Sequence, residues 1–222
     1  MSKYARALRG WALIHQALRR GLDAIVRESG QPLPAGERAA FADYCERFSL
    51  FLHVHHDGEE EVIFPIMAKA AARAAMTETT NHLTGWKGDH DKLLTLLRAF
   101  DASIAAFKSG GPQEPVAKAA TAVRAQLFPH LDSEEATLNE ATLAKMMTGD
   151  EAEEMVAAAS QHGKKNAGPR GLMFAMHNLT GDEQRFMFGD APWFVRKVLF
   201  KRIFARNFRH CVKYAHTASI EL

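Results

Sequence analysis

The chain has 222 residues, 47% of them hydrophobic and 24% charged, and a formal net charge of +2, the composition of a folded globular protein with no bulk charge to suggest a nucleic-acid partner. Its two cysteines, Cys45 and Cys211, lie far apart, which excludes a disulfide framework and a C-x-x-C metal site. The start, MSKYARALRGWALIHQ, lacks a signal peptide's apolar run and no stretch is long and apolar enough for a transmembrane helix, so a cytoplasmic protein is expected.

Helical periodicity runs through the chain with no competing strand pattern. A first helix is predicted from Lys3 to Glu28, stopped at Ser29-Gly30 with Pro32 and Pro34 beyond. A second runs from near Gly36 to Ala75, bent at Pro65, which has no N–H to donate. A third spans Glu78 to Lys108. Gly110-Gly111-Pro112 breaks the chain, and Pro115 opens a fourth helix that reaches Met147 with a kink at Pro129. Long helices joined by short connections predict an all-α fold, an antiparallel up-down four-helix bundle over residues 1–149. Residues 150–222 are expected to form a helical C-terminal extension packed on it: a helix over Asp150–Ser160, a loop over Gly163–Gly171, a helix capped by Thr180 and Glu183, and a last helix after Pro192.

Certain polar residues fall inside the apolar stripes of these helices. On the second helix Phe41, Tyr44, Phe48, Phe51, Leu52, Val62 and Ile66 define one face. With Phe48 as zero, His55 falls at about −20° and Glu59 at about +20°, at roughly 100° per residue. His56 sits at about +80° and Glu60 at about +120° by the same arithmetic. On the fourth helix His130 and Glu134 lie within a stripe of Val116, Ala120, Val123, Leu127 and Leu138. His15 is flanked by Leu8, Trp11, Leu18 and Leu22, and His90 by Leu83, Trp86, Leu94 and Leu97. Four helices therefore each aim a histidine at the core, and two add a glutamate one turn later. A buried carboxylate without a partner costs several kcal/mol or takes up a proton, and two converging ones repel. A bound metal pair removes both penalties, and imidazole with carboxylate suits iron, manganese or zinc. Tyr44, on the same face as His55, is read as a core residue.

These residues resemble the hemerythrin-like, or HHE cation-binding, family. The matching segments are His15 in the first helix, HHDGEEEVIFP from His55 to Pro65, DHDKLL around His90, and HLDSEE from His130, within residues 5 to 147. The resemblance implies two non-haem iron ions, oxo- or hydroxo-bridged, with His15, His55, Glu59, His90, His130 and Glu134 as ligands and the glutamates bridging. His56 with Glu60 is the rival pair, and His56, Glu60 and Glu135 are otherwise expected to orient the ligands. Oxygen-carrying members have a further histidine where this chain has Leu94. Its lack predicts an open metal position and redox chemistry toward a small diatomic or peroxide ligand. The alternative is non-catalytic oxygen or iron binding, sensing or storage. Related iron–sulfur repair proteins carry an N-terminal cysteine segment that has no counterpart here.

From Trp193 to Tyr214 the chain has seven basic residues and no acidic one. This last helix is expected to cap the bundle with its apolar face. Lying on an anionic membrane surface is the alternative.

Overall fold

The computed structural model describes residues 1–200 and 202–222 in full and residue 201 by its backbone. The chain folds into helices α1 (Lys3–Ser29), α2 (Arg38–Gly58), α3 (Phe64–Arg73), α4 (Thr77–Lys108), α5 (Glu114–Thr137), α6 (Glu140–Met146), α7 (Gly149–His177), α8 (Gly181–Phe188) and α9 (Ala205–Phe208). Wide π-type turns occupy Glu59–Ile63 and Val195–Phe204. No strand occurs among the described residues, and no helix among them is long and apolar enough to cross a membrane.

Local signals set most boundaries. The Ser2 side chain accepts the Ala5 N–H at the start of α1, and Asn139 caps α6 through Thr142 N–H. Thr148 and Glu151 cap each other at α7, and Thr180 N–H donates to Glu183 at α8, as its sequence predicts. The fourth predicted helix is shorter than expected. It runs through Pro129 but ends at Thr137, and α6 completes the span to Met146 after a break that Asn139 caps. The expected loop at Gly163–Gly171 is instead helical. The break contracts to Gly168, whose positive φ of 55° suits glycine, followed by Pro169, which can start a helix but not continue one.

Helices α1, α2, α4 and α5 pack around one core, each against its chain neighbour, with α5 closing the ring on α1. The second half of α7 docks on α1 and α2. Phe174 lies there against Tyr44, Phe48 and Phe51, and Gly21 makes room for it. A Cβ on Gly21 would come within 2.2 Å of the Phe174 ring. Phe200, Phe208, Cys211 and Tyr214 are buried with this group, so the C-terminal extension shares the bundle's main apolar cluster. Tyr44 is a core residue, its hydroxyl donating to Asn178 Oδ1 at 3.0 Å.

The core is not one apolar mass. Leu13, Leu18, Leu22, Phe48, Leu52, Leu93, Leu97, Leu127 and Leu131 belong to the main cluster. Phe64, Met67, Leu83, Trp86, Leu138 and Met146 form a second one. On every bundle helix, the residues that separate the two clusters are histidines and glutamates.

Candidate metal centre

The layer between the clusters holds His15 from α1, His55 and His56 from α2, Glu59 from the π-type turn, His90 from α4, and His130 and Glu134 from α5. His15, Glu59 and Glu134 are fully buried, and His56, His90 and His130 nearly so. The turn that carries Glu59 has a local cause. Pro65 has no N–H to return to Glu61, and its ring would press on that carbonyl. The helix widens instead, and Phe64 N–H bonds the carbonyl of Glu59. The wider turn rotates the residues beyond it. Phe64, Met67 and Ala71 face inward, while Val62 and Ile66, which the unbroken period predicts there, are only half-buried.

The donor atoms fall into two groups that share both glutamates. Glu59 Oε1 lies 3.4 Å from His55 Nε2 and 4.0 Å from His15 Nε2, while its Oε2 lies 3.5 Å from His90 Nε2. Glu134 Oε2 is 3.6 Å from His15 Nε2 and its Oε1 is 3.3 Å from His130 Nε2. His90 Nε2 and His130 Nε2 are 2.9 Å apart. Donor atoms of His56, Glu59, His90 and His130 lie within 4.8 Å of one another, and so do those of His15, His55 and Glu59. Two nitrogens bound at right angles, each about 2.1 Å from one ion, are about 3 Å apart. Most of the observed separations, 2.9–3.6 Å, are close to that of neighbouring ligands around one ion, and only Glu59 Oε1 to His15 Nε2, at 4.0 Å, is clearly wider.

Hydrogen bonding points the same way. His15 Nε2, His55 Nε2, His56 Nε2, Glu59 Oε2 and both Glu134 oxygens are buried without a hydrogen-bond partner. Each such atom costs about 1–3 kcal/mol, which a bundle of this size does not sustain six times over in one layer unless a cation satisfies them. The outer ring nitrogens of His15 and His90, by contrast, are engaged, while His130 Nδ1 has only Asp89 nearby, at 3.8 Å. His15 Nδ1 donates to Glu135 at 2.7 Å and His90 Nδ1 to Glu60 at 2.9 Å. These bonds fix the tautomer in which each Nε2 lone pair points into the layer. Arg19 holds Glu135 and Lys87 holds Glu60 from outside.

Without a cation the layer is electrostatically costly. Burial first, with the Glu135 and Asp89 charges behind it, pushes the Glu134 carboxyl up to about 8 against the pull of His15 and Arg19. Burial, and then the Glu134 charge, raise Glu59 as well. Burial depresses the His15 imidazole, but the carboxylates of Glu135, Glu59 and Glu134 outweigh it and lift it to about 9. His55 and His56 are held well below the usual imidazole range by burial and by neighbouring histidines. Glu60 and Glu135 stay ionised, since Lys87 with His90, and His15 with Arg19, outweigh their partial burial. Protons therefore occupy the metal-free layer where a cation would replace them.

All six residues predicted as ligands converge, and the structure adds His56. The helical arithmetic puts His56 on the margin of the inward face. In a ring of four helices, however, α2 faces α1 on one side and α4 on the other. His55 leans toward α1, with its ring 5.1 Å from that of His15, and His56 toward α4, stacked 4.3 Å from His90. Leu94 is 36% exposed, so its position does not face the layer and the open place inferred from it is not there. Glu60 and Glu135 hydrogen-bond the outer ring nitrogens of His90 and His15. Sequence reasoning missed Trp11, whose indole N–H donates to Glu59 Oε1 at 2.8 Å. A signal was available, because a half-buried indole seeks an acceptor and Trp11 lies one turn before His15.

A hemerythrin HHE cation-binding domain matches residues 6–141, a span that contains all seven converging side chains. The chain belongs to this family. Within the HHE domain the buried histidine and glutamate groups form its candidate cation site. No curated protein and no solved structure matches the chain. The HHE match ends before α7, so the helix that docks Phe174 onto α1 and α2 lies beyond it.

Proposed function

We propose that the chain holds two iron ions bridged by an oxo or hydroxo group, and that a small oxidant (dioxygen, nitric oxide or peroxide) binds beside the ion on the His15 side. The observation that carries this is the uneven split of donors. Three histidines with one oxygen from each glutamate fit one ion, and two histidines with the other oxygens fit its neighbour. An ion held by His15, His55 and the two glutamate oxygens would have fewer protein donors, and so room for an exogenous ligand. Nitrogen and oxygen donors without thiolate suit iron or manganese, and the HHE family match favours iron. Iron in such a pair would supply the electrons to bind or reduce the oxidant.

The chain's own residues then have distinct tasks. His15 and His55 hold the less crowded ion, and Glu135 with Arg19 fixes the His15 ring. Trp11 donates to Glu59 Oε1 on that same side, which holds this carboxylate in place and would lower the basicity of that oxygen as a ligand. The apolar clusters above and below exclude bulk water. An open surface pocket between α4 and α5, lined by His82, Trp86, Asp89 and Ser133, reaches Asp89, whose carboxylate lies 3.8 Å from His130 Nδ1. The two buried free thiols, Cys45 and Cys211, support a cytoplasmic location.

The test is optical titration of iron-loaded, reduced protein with each oxidant without other oxygen present. One oxidant should change the spectrum at one equivalent per iron pair, and Trp11→Phe should shift the resulting bands. Peroxide lost faster per iron than from free iron supports reaction. A spectrum that reverses on removing the ligand, with nothing consumed, supports the second reading, a carrier or sensor. The full set of five histidines favours that second reading more than the sequence did. No spectral response to any of the three defeats both.

A further inference from the structure

We propose that the segment after Pro192 is a docking surface for an anionic lipid bilayer, lying in the plane of the membrane. This segment does two things at once. Phe200 and Phe208 are buried against the bundle, so it is anchored as a cap. On its outer side Trp193, Phe194 and Ile203 are 66%, 52% and 48% exposed. Among the described residues only four large apolar side chains are this exposed, and three of them fall in these eleven residues. Such clustering is unusual on a surface that only meets water.

The placement of these side chains is regular. Phe194 and Ile203 stand about two of the wide turns of Val195–Phe204 apart, which puts them on the same side of the segment. Arg202, Arg206 and Arg209 are exposed along it and, among the described residues, make no ion pair. Between Asp190 and Glu221 the chain contains no acidic residue at all. An occupant must therefore accept both apolar side chains and positive charge. A bilayer with anionic headgroups does so: tryptophan and phenylalanine enter the headgroup boundary, and arginines meet the phosphates beside them. A second copy of this chain would bring the same positive charge to the contact, which opposes self-association through this face.

The experiment is co-sedimentation of the full chain with vesicles of phosphatidylcholine alone or with phosphatidylglycerol added. The expected result is at least tenfold more protein bound to the anionic vesicles, reduced by raising the salt. Trp193 emission should move to shorter wavelength on binding, and Trp193→Phe should lose that shift while still binding. Arg202→Glu with Arg206→Glu should abolish binding, and Phe194→Ser with Ile203→Ser should weaken it at least tenfold. Both pairs lie on the exposed side, so helical content and iron content should stay at the wild-type level. Wild type that ignores anionic vesicles overturns the proposal, as does serine substitution without effect. Concentration-dependent dimerisation that disappears in the serine variant would also overturn it, since the face would then belong to a second copy.

Discussion

His55 with Glu59 and His56 with Glu60 share one spacing, and a straight helix can centre only one pair on its inward face. The structure uses both histidines, one toward each neighbouring helix, and only the first glutamate. His56→Ala should therefore lower bound iron to about one per chain, no less severely than His90→Ala, as read by elemental analysis of folded protein. Leu94→His, on an exposed position, should leave iron content unchanged. Of the layer's seven side chains, six could be picked from sequence because each interrupts an apolar stripe at its centre. His56 stood only as the rival of His55 and not as a seventh member, because the angle it occupies points inward only when the neighbouring helices are known. Trp11 could be suspected of needing an acceptor near His15, but not that the acceptor is Glu59, because that bond joins α1 to a turn whose widening depends on Pro65.

The bundle helices were readable as elements because their apolar period is long and their ends carry glycine, proline or capping residues. What the period misses is any departure from itself. The π-type turn at Glu59–Ile63 exchanges Val62 and Ile66 for Phe64 and Met67 on the buried side. Helix α7 was the other difficulty, because Gly163, Gly168, Pro169 and Gly171 together read as a loop, whereas only Gly168 leaves helical geometry. Its docking rests on the close approach of Phe174 to Gly21. Gly21→Ala should destabilise the protein by about 1–3 kcal/mol through overpacking, although alanine is the better helix former. Phe174→Ala should cost about 3–5 kcal/mol by leaving a cavity. Both are read from the urea midpoint of metal-free protein, and an unchanged midpoint for Gly21→Ala would mean that α7 does not pack as described.

At the scale of the whole molecule, the polar layer makes folding, protons and metal one equilibrium. Glu134 and His15 both bind protons more tightly in the folded metal-free protein than in the unfolded chain, with folded values of about 8 and about 9. Their contribution is present at low pH and is lost as pH rises toward those values. His55 and His56 act in the opposite sense, because their folded values are depressed, but their effect is confined to pH below the unfolded value of about 6.5. Metal-free protein should therefore lose stability between pH 6.5 and 8, on the order of 2 kcal/mol. Glu134→Gln should flatten that slope. Iron should reverse it, since binding displaces the protons and strengthens as pH rises. A thermal unfolding series across this range, with and without iron, reads all three effects.

The seven side chains of this layer are proposed to hold a pair of irons, with Glu59 and Glu134 shared between them. The most direct test is iron per folded chain, by elemental analysis with Mössbauer spectra, for protein made in iron-replete medium. The expected result is two irons per wild-type chain, magnetically coupled through their bridge, and none in the Glu59→Ala, Glu134→Ala double variant. Well-folded wild type that takes up no more than one iron would contradict the account, as would iron that stays bound when both glutamates are gone.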